Sequence, residues 1–145
     1  MDYLGKKQNE LLRKHKVSLE DNLSHRIPTG WIPLLDRTFD KLLDAGWDRR
    51  VSQIKEKFGS LRIHLAQHSK ELQRIVWAAE EESMTICDIC SAQGKIVDKK
   101  GILAVRCEAH ENVGDDYMEL DKDNFSDYDK DVRERIARRR ENGTA

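Results

Sequence analysis

Cysteine, aromatic residues and long apolar runs are all scarce in this chain, and each scarcity excludes something. Three cysteines leave one odd in any disulfide scheme, and such a scheme also needs an oxidising compartment. Aromatics at 6% beside charged residues at 37% allow only a modest core, one that a metal staple would help. No apolar run could span a membrane, and the N-terminus lacks the charged, apolar and small-residue regions of a signal peptide. The expectation is a soluble, cytoplasmic protein with no membrane partner. A chain of 145 residues suits one domain, or a small domain with appendages.

The few cysteines are all placed alike. Cys87-Asp88-Ile89-Cys90 is answered by Cys107-Glu108-Ala109-His110, two C-x2-C/H pairs with sixteen residues between them. Two tight turns, each offering two ligands from one side, complete a tetrahedral zinc shell. The intervening residues predict a β-hairpin, Lys95-Ile96-Val97 and residues 102–106 about a turn at Asp98-Lys99-Lys100-Gly101. The expected cofactor is a structural zinc ion (Zn2+) on Cys87, Cys90, Cys107 and His110. Catalytic zinc keeps an open position, whereas three thiolates and an imidazole close the shell and leave little Lewis acidity. Glu108 lies inside the second pair, but the H-x-E and P-C-x-x-C deaminase pattern is absent.

Ahead of the cysteines the periodicity predicts a helical body. Residues 3–16 form a first helix on Leu4, Leu11 and Leu12, and Ser18 followed by Asp21 starts a short one with Leu19 and Leu23. His15 and His25 read as solvated. Ile27-Pro28-Thr29-Gly30 breaks the pattern. Trp31, Leu34, Leu35, Phe39, Leu42 and Leu43 then form the clearest helical stripe, with Pro33 in the first turn and Gly46 as its stop. Trp31 and Trp47 read as packing residues. Ser69 caps a further helix to about Met84 on Leu72, Ile75, Val76 and Ala79, and Glu80, Glu81 and Glu82 read as its solvated face.

Between these helices, residues 51–65 predict a hairpin with a type II′ turn at Gly59-Ser60. That turn sets Phe58 opposite Leu61, Glu56 opposite Ile63 and Ile54 opposite Leu65 on an apolar face. Glu56 there calls for an internal salt bridge. The other face carries Lys55, Lys57, Arg62 and His64, with Arg49 and Arg50 upstream, and is the candidate nucleic-acid-binding surface. The predicted fold is α+β. Helices pack on a β-hairpin, and a treble-clef or zinc-ribbon-like zinc module and a C-terminal helix follow. The corresponding divisions are a body (1–84), a zinc-binding module (85–111) and an acidic segment with the last helix (112–145).

The net charge of −1 hides a division: +4 up to Cys107, −8 over residues 108–131 and +3 beyond. Asp115, Asp116, Glu119, Asp121 and Asp123 are interleaved with Val113, Tyr117, Met118, Leu120 and Phe125. Acids mixed with such anchors suit docking on a protein with a basic surface. The later aspartates lack the turn glycine and terminal Glu of an EF-hand, which excludes a calcium loop. From Ser126 a last helix is predicted on Tyr128, Val132 and Ile136, with aspartates near its start and arginines near its end.

The combination Gly30-Trp31-Ile32-Pro33-Leu34-Leu35, Gln53-Ile54-Lys55-Glu56-Lys57-Phe58-Gly59-Ser60-Leu61-Arg62 and the C-x2-C…C-x2-H resembles a group of small phage and bacterial proteins. The resemblance covers about residues 30–110, and the Q-I-K-E-K-F-G-x-L-R run is its most specific part. It implies a bacterial or phage setting, hence the cytoplasm of a bacterial host cell, and a zinc site, but no established activity. The group tends to carry Gly after the second cysteine, where this chain has Ser91.

Three functions remain in view. The first is a non-catalytic, zinc-stabilised interaction protein, a phage-encoded inhibitor of a host nucleic-acid-handling or defence system acting through the acidic residues. The second is a nucleic-acid-binding zinc module using the cationic hairpin face, although a pI of 6.5 is not basic. The third is a zinc-stapled nuclease. It needs a histidine base with further metal ligands, and His64 and His68 have no evident acidic partner.

Overall fold

The computed structural model describes residues 4–20 and 23–113. The acidic residues 115–123 and the helix expected from Ser126 lie outside them. The elements are α1 (Lys6–Lys14), β1 (Ser18–Leu19), a 3-10 turn (Thr29–Trp31), α2 (Ile32–Asp44), β2 (Arg50–Lys57), β3 (Ser60–Leu65), α3 (Lys70–Ser83), β4 (Lys95–Lys99), β5 (Ile102–Arg106) and a 3-10 turn (Glu108–His110). The class is α+β, with a three-stranded sheet ordered β1-β2-β3 and a separate β4-β5 hairpin.

The expected stripes make the core. Leu11 and Leu12 of α1, Leu34, Leu35, Phe39 and Leu42 of α2, and Leu72, Val76 and Ala79 of α3 are buried against Val51, Ile54, Leu61 and Ile63. Trp31 and Trp47 are buried too, and Trp47 stacks on Phe39 at 5.3 Å between ring centroids. Ser69 caps α3, its hydroxyl accepting from the Leu72 N–H. Gly46, at φ 89°, follows the end of α2.

Residues 18–19 are a strand rather than the start of a helix. Ser18 pairs parallel with Arg50 and Leu19 with Val51, and Leu23 is exposed. Sheet bonding outweighs the local capping signal, because β2 offers the chain a ladder of unpaired groups: the Ser18 N–H donates to Arg49 O and the Glu20 N–H to Val51 O. His15 is likewise buried, not solvated. Its Nε2 lies 2.6 Å from Asp36 Oδ1, and its ring meets Phe39 edge-on. His25 is exposed as expected.

The β2-β3 hairpin turns one residue earlier than expected. Lys57 pairs with Ser60, Glu56 with Leu61, Lys55 with Arg62, Ile54 with Ile63 and Gln53 with His64. Partners move by two residues along one strand, so each paired side chain keeps its face. The turn residues are Phe58 and Gly59, both at positive φ (54° and 79°), as a type I′ turn requires. Two local bonds fix this choice: the Glu56 carboxylate accepts the Gly59 N–H, and the buried Ser60 hydroxyl donates to Lys57 O. Glu56 is therefore a turn cap. Among the described residues no ion pair engages it.

Phe58 is the costly member of that turn. Positive φ disfavours a bulky side chain by about 1–2 kcal/mol. The ring is not in the core as expected but 69% exposed. The Lys57 ammonium, 5.4 Å from the ring centroid, returns only about 0.5–1 kcal/mol at an exposed site.

Helix α3 also closes the outer edge of β3. Ser83 accepts the Leu61 N–H, and Glu80 accepts from the Ile63 backbone, so both donors are satisfied by α3 side chains. Glu82 pairs with Arg37 at 2.9 Å. Of the three glutamates read as a solvated face, Glu81 is exposed and Glu80 and Glu82 are half-buried.

Candidate metal centre

The chain leaves α3 through Thr85 and Ile86 and at once makes a tight turn. The Ser91 N–H donates to Cys87 O, the Cys87 N–H to Ala92 O, and the Gly94 N–H to Thr85 O. These bonds place Cys87 and Cys90 on one side of a small space. The β4-β5 pairing, Lys95 with Arg106 through Lys99 with Ile102, returns the chain to it. Cys107 and His110, at the two ends of the final 3-10 turn, complete the group.

The ligand atoms of Cys87, Cys90, Cys107 and His110 all lie within 4.8 Å of one another. Cys90 Sγ is 3.6 Å from Cys107 Sγ, and His110 Nδ1 is 3.2 Å from Cys107 Sγ and 3.8 Å from Cys87 Sγ. Sulfur and nitrogen donors in a tetrahedron around zinc stand about 3.5–3.8 Å apart. A disulfide brings its sulfurs to about 2.05 Å, and all three cysteines are free. Soft thiolates with one imidazole are a donor set for a late transition metal. The group could hold one metal ion, with His110 binding through Nδ1.

The fold favours the thiolate at Cys87. Burial alone would push the Cys87 thiol up, but the backbone N–H groups of Cys90, Ile89 and Cys107, with His110 beside them, bring it down to about 7. Burial and the neighbouring thiols of Cys107 and Cys87 push Cys90 up, against the Ala92 N–H.

The body and the metal centre share a seam. The Gly30 N–H donates to Asp88 O at 2.9 Å, and the Trp31 indole N–H to Ile86 O at 3.0 Å. A Cβ on Gly30 would stand 2.1 Å from Cys87 O, so only glycine permits this approach. Ser91 takes φ 71°, a backbone conformation that glycine adopts most readily. Its hydroxyl donates to Gly30 O at 2.7 Å, a bond across the seam that glycine could not make.

A buried pair escaped sequence reasoning. Asp88, inside the first ligand turn, meets Arg106, just before Cys107, at 2.8 Å from Oδ1 to Nε. The N–H is poorly aligned with the oxygen, so the two meet as charges rather than through a linear hydrogen bond. Burial pushes the Asp88 carboxyl up, and the Arg106 guanidinium opposes it. Arg106 Nη1 also donates to Val113 O at 2.7 Å, so this side chain ties the first ligand turn to the segment after the second. The only signal was an acid and a base flanking cysteines in mirrored positions.

No family model, curated protein or solved structure matches the chain. No helix among the described residues is long and apolar enough to cross a membrane.

The cationic residues divide into two sets. Arg49 donates to His15 O at 2.5 Å, and Arg50 pairs with Asp48 at 2.8 Å and Glu20 at 3.6 Å. Both are occupied within the fold and do not extend the candidate surface. Lys55, Lys57, Arg62 and His64 share the sheet face opposite Ile54, Leu61 and Ile63. No ion pair among the described residues engages them. Partial burial, then Lys55, Arg62 and Lys57, hold the His64 pKa below its ordinary value, so the ring is the neutral member of the row near pH 7.

Proposed function

We propose that this chain is a non-catalytic, zinc-stabilised interaction protein of the bacterial cytoplasm. The observation that carries the reading is the Cys87, Cys90, Cys107 and His110 group itself. Its four donors are within 4.8 Å of one another, and a shell closed by them has no position for an activated water. Zinc is the natural ion for three thiolates and an imidazole in a tetrahedron. A ligand turn, a hairpin and a second ligand turn make the module treble-clef or zinc-ribbon-like. The metal's task is to hold β4-β5 against the body.

The acidic residues Asp115, Asp116, Glu119, Asp121 and Asp123 supply the surface for a basic protein partner. In the phage setting that the sequence resemblance implies, this partner belongs to a host nucleic-acid-handling or defence system. Neutralising the five acids should abolish capture of the partner from host lysate and leave zinc content and melting temperature unchanged. Capture that survives neutralisation would refute the acidic surface, and a chain purified without zinc would refute the stapled module.

A second reading, nucleic-acid binding, is favoured by one observation: Lys55, Lys57 and Arg62 lie on an outer sheet face without ion-pair partners among the described residues.

A further inference from the structure

The hairpin tip contains a residue that neither folding nor turn chemistry accounts for. Position 58 is the first central residue of a type I′ turn, where asparagine or glycine takes positive φ most readily. The chain has phenylalanine there, at φ 54°. Its ring is 69% exposed, so core packing does not offset the strain. Among the described residues the ring's one contact with a charge is with Lys57, at 5.4 Å, and that weak exposed contact is smaller than the backbone cost. Strain held at an exposed side chain marks a place where the side chain acts outside the fold.

The surroundings say on what. Lys57 joins the ring to a row in which Lys55 stands opposite Arg62 and His64 lies one pair further along the same face. Like charges directly opposite one another destabilise a sheet, and the Arg62 Nε–H, which donates to Ser60 Oγ at 3.0 Å, offsets that only in part. Glu80 of α3 is near enough to feel the Arg62 charge but makes no ion pair with it, and its carboxylate accepts from the Ile63 backbone.

We infer that the tip of β2-β3 binds single-stranded nucleic acid, with Phe58 stacking on an unpaired base and Lys55, Lys57 and Arg62 meeting phosphates. A planar ring that projects from a turn offers one face for stacking, and a base offers its own face only when it is free of a duplex. A flanking row of cations supplies the sequence-independent attraction to the backbone. The inference deepens the second reading above, and it rests on the chain being a binding protein rather than an enzyme.

The test uses the full zinc-loaded chain and a labelled single strand of about 12 nucleotides, as DNA and as RNA, beside the matching duplex. The single strand should bind better than the duplex, and log affinity should fall with log salt at a slope of about −2 for three phosphate contacts. Phe58→Ala and Phe58→Asn should each weaken binding about 5- to 100-fold. Phe58→Asn should also melt at the same or a higher temperature than the parent, since Asn-Gly suits the turn. Opposite signs on binding and stability separate a contact residue from a structural one. Lys55→Ala with Lys57→Ala should flatten the salt slope by about 1.4. Absence of single-strand binding at low salt would overturn the inference, as would equal duplex affinity unaffected by Phe58→Ala. A Phe58→Asn chain that melts lower and binds normally would make the ring structural. Zinc content measured on the same samples keeps the two claims apart. A zinc-loaded chain that does not bind refutes this inference alone, and a chain without zinc refutes the broader reading.

Discussion

The β2-β3 and β4-β5 hairpins both reverse through a pair of positive-φ residues, Phe58-Gly59 in one and Lys100-Gly101 in the other, yet little else about them agrees. The first buries Val51, Ile54, Leu61 and Ile63 under the helices. The second has no fully buried residue in β4, and in β5 it buries only Ala104, Val105 and Arg106. Ile96 and Ile102 stay exposed. A two-stranded ribbon with so little apolar cover is marginal in water. It needs a clamp, and Cys87, Cys90, Cys107 and His110 stand at its open end. One chain thus carries the same supersecondary unit twice, one held by apolar burial and the other closed at its open end by a group that could hold a metal ion.

Removing the clamp should give the largest effect. A structural zinc contributes an apparent free energy of about 10–16 kcal/mol in small modules. Cys90→Ala, or prolonged chelation, should therefore strip amide-exchange protection from β4-β5 while β2-β3 keeps measurable protection. Simultaneous loss from both hairpins would show one cooperative unit and end the contrast.

The next effect is apolar. Ile54→Ala should lower stability by about 2–5 kcal/mol, as large-to-small changes at fully buried sites do. Ile96→Ala, at an exposed site of the other hairpin, should stay within about 0.5 kcal/mol. Urea denaturation of the zinc-loaded variants compares them directly, and equal losses would mean that β4 packs far more tightly than described.

These two sites also show how far the sequence could be read. The ligand spacing, the α2 and α3 stripes and the alternation of β2 and β3 were all legible, because each is a local pattern repeated at a known period. Ser18 was misread because its local capping signal competes with a strand partner 32 residues away at Arg50, which no local rule can see. A type II′ turn at Gly59-Ser60, combined with alternation, places Phe58 on the apolar face. The turn that expels it depends on the Glu56 and Ser60 bonds, which are side-chain geometry. The Asp88–Arg106 pair was invisible for the same reason.

The smallest effect concerns protons. The bond from His15 holds the Asp36 carboxyl below the usual carboxylate range, against burial and with help from Lys14. A carboxylate with a depressed folded pKa adds stability that is complete above its unfolded value, about 4, and is lost as pH falls through the folded one. Acidification through that window should therefore weaken the parent slightly more than Asp36→Asn, as read by thermal melting. At the metal centre acid acts differently, since protons compete directly for the thiolates and the imidazole. Release of a metal ion held there should therefore precede any change traceable to Asp36, and the order sharpens the contrast between the two regions.

The seam at Gly30 and Trp31 has a consequence for the chain as it is made. Synthesis runs from the N-terminus, and domains tend to fold as their residues emerge. Gly30 and Trp31 leave the ribosome more than fifty residues ahead of their acceptors, Asp88 O and Ile86 O. Until those arrive, the start of α2 has an indole N–H and a backbone N–H without these partners, beside a glycine whose facing wall does not yet exist. The body can collapse early, but it reaches its final packing only when the first ligand turn closes over it. Loading of a metal ion at Cys87, Cys90, Cys107 and His110 would thereby follow emergence of the body, as the step that joins the start of α2 to a turn made more than fifty residues later.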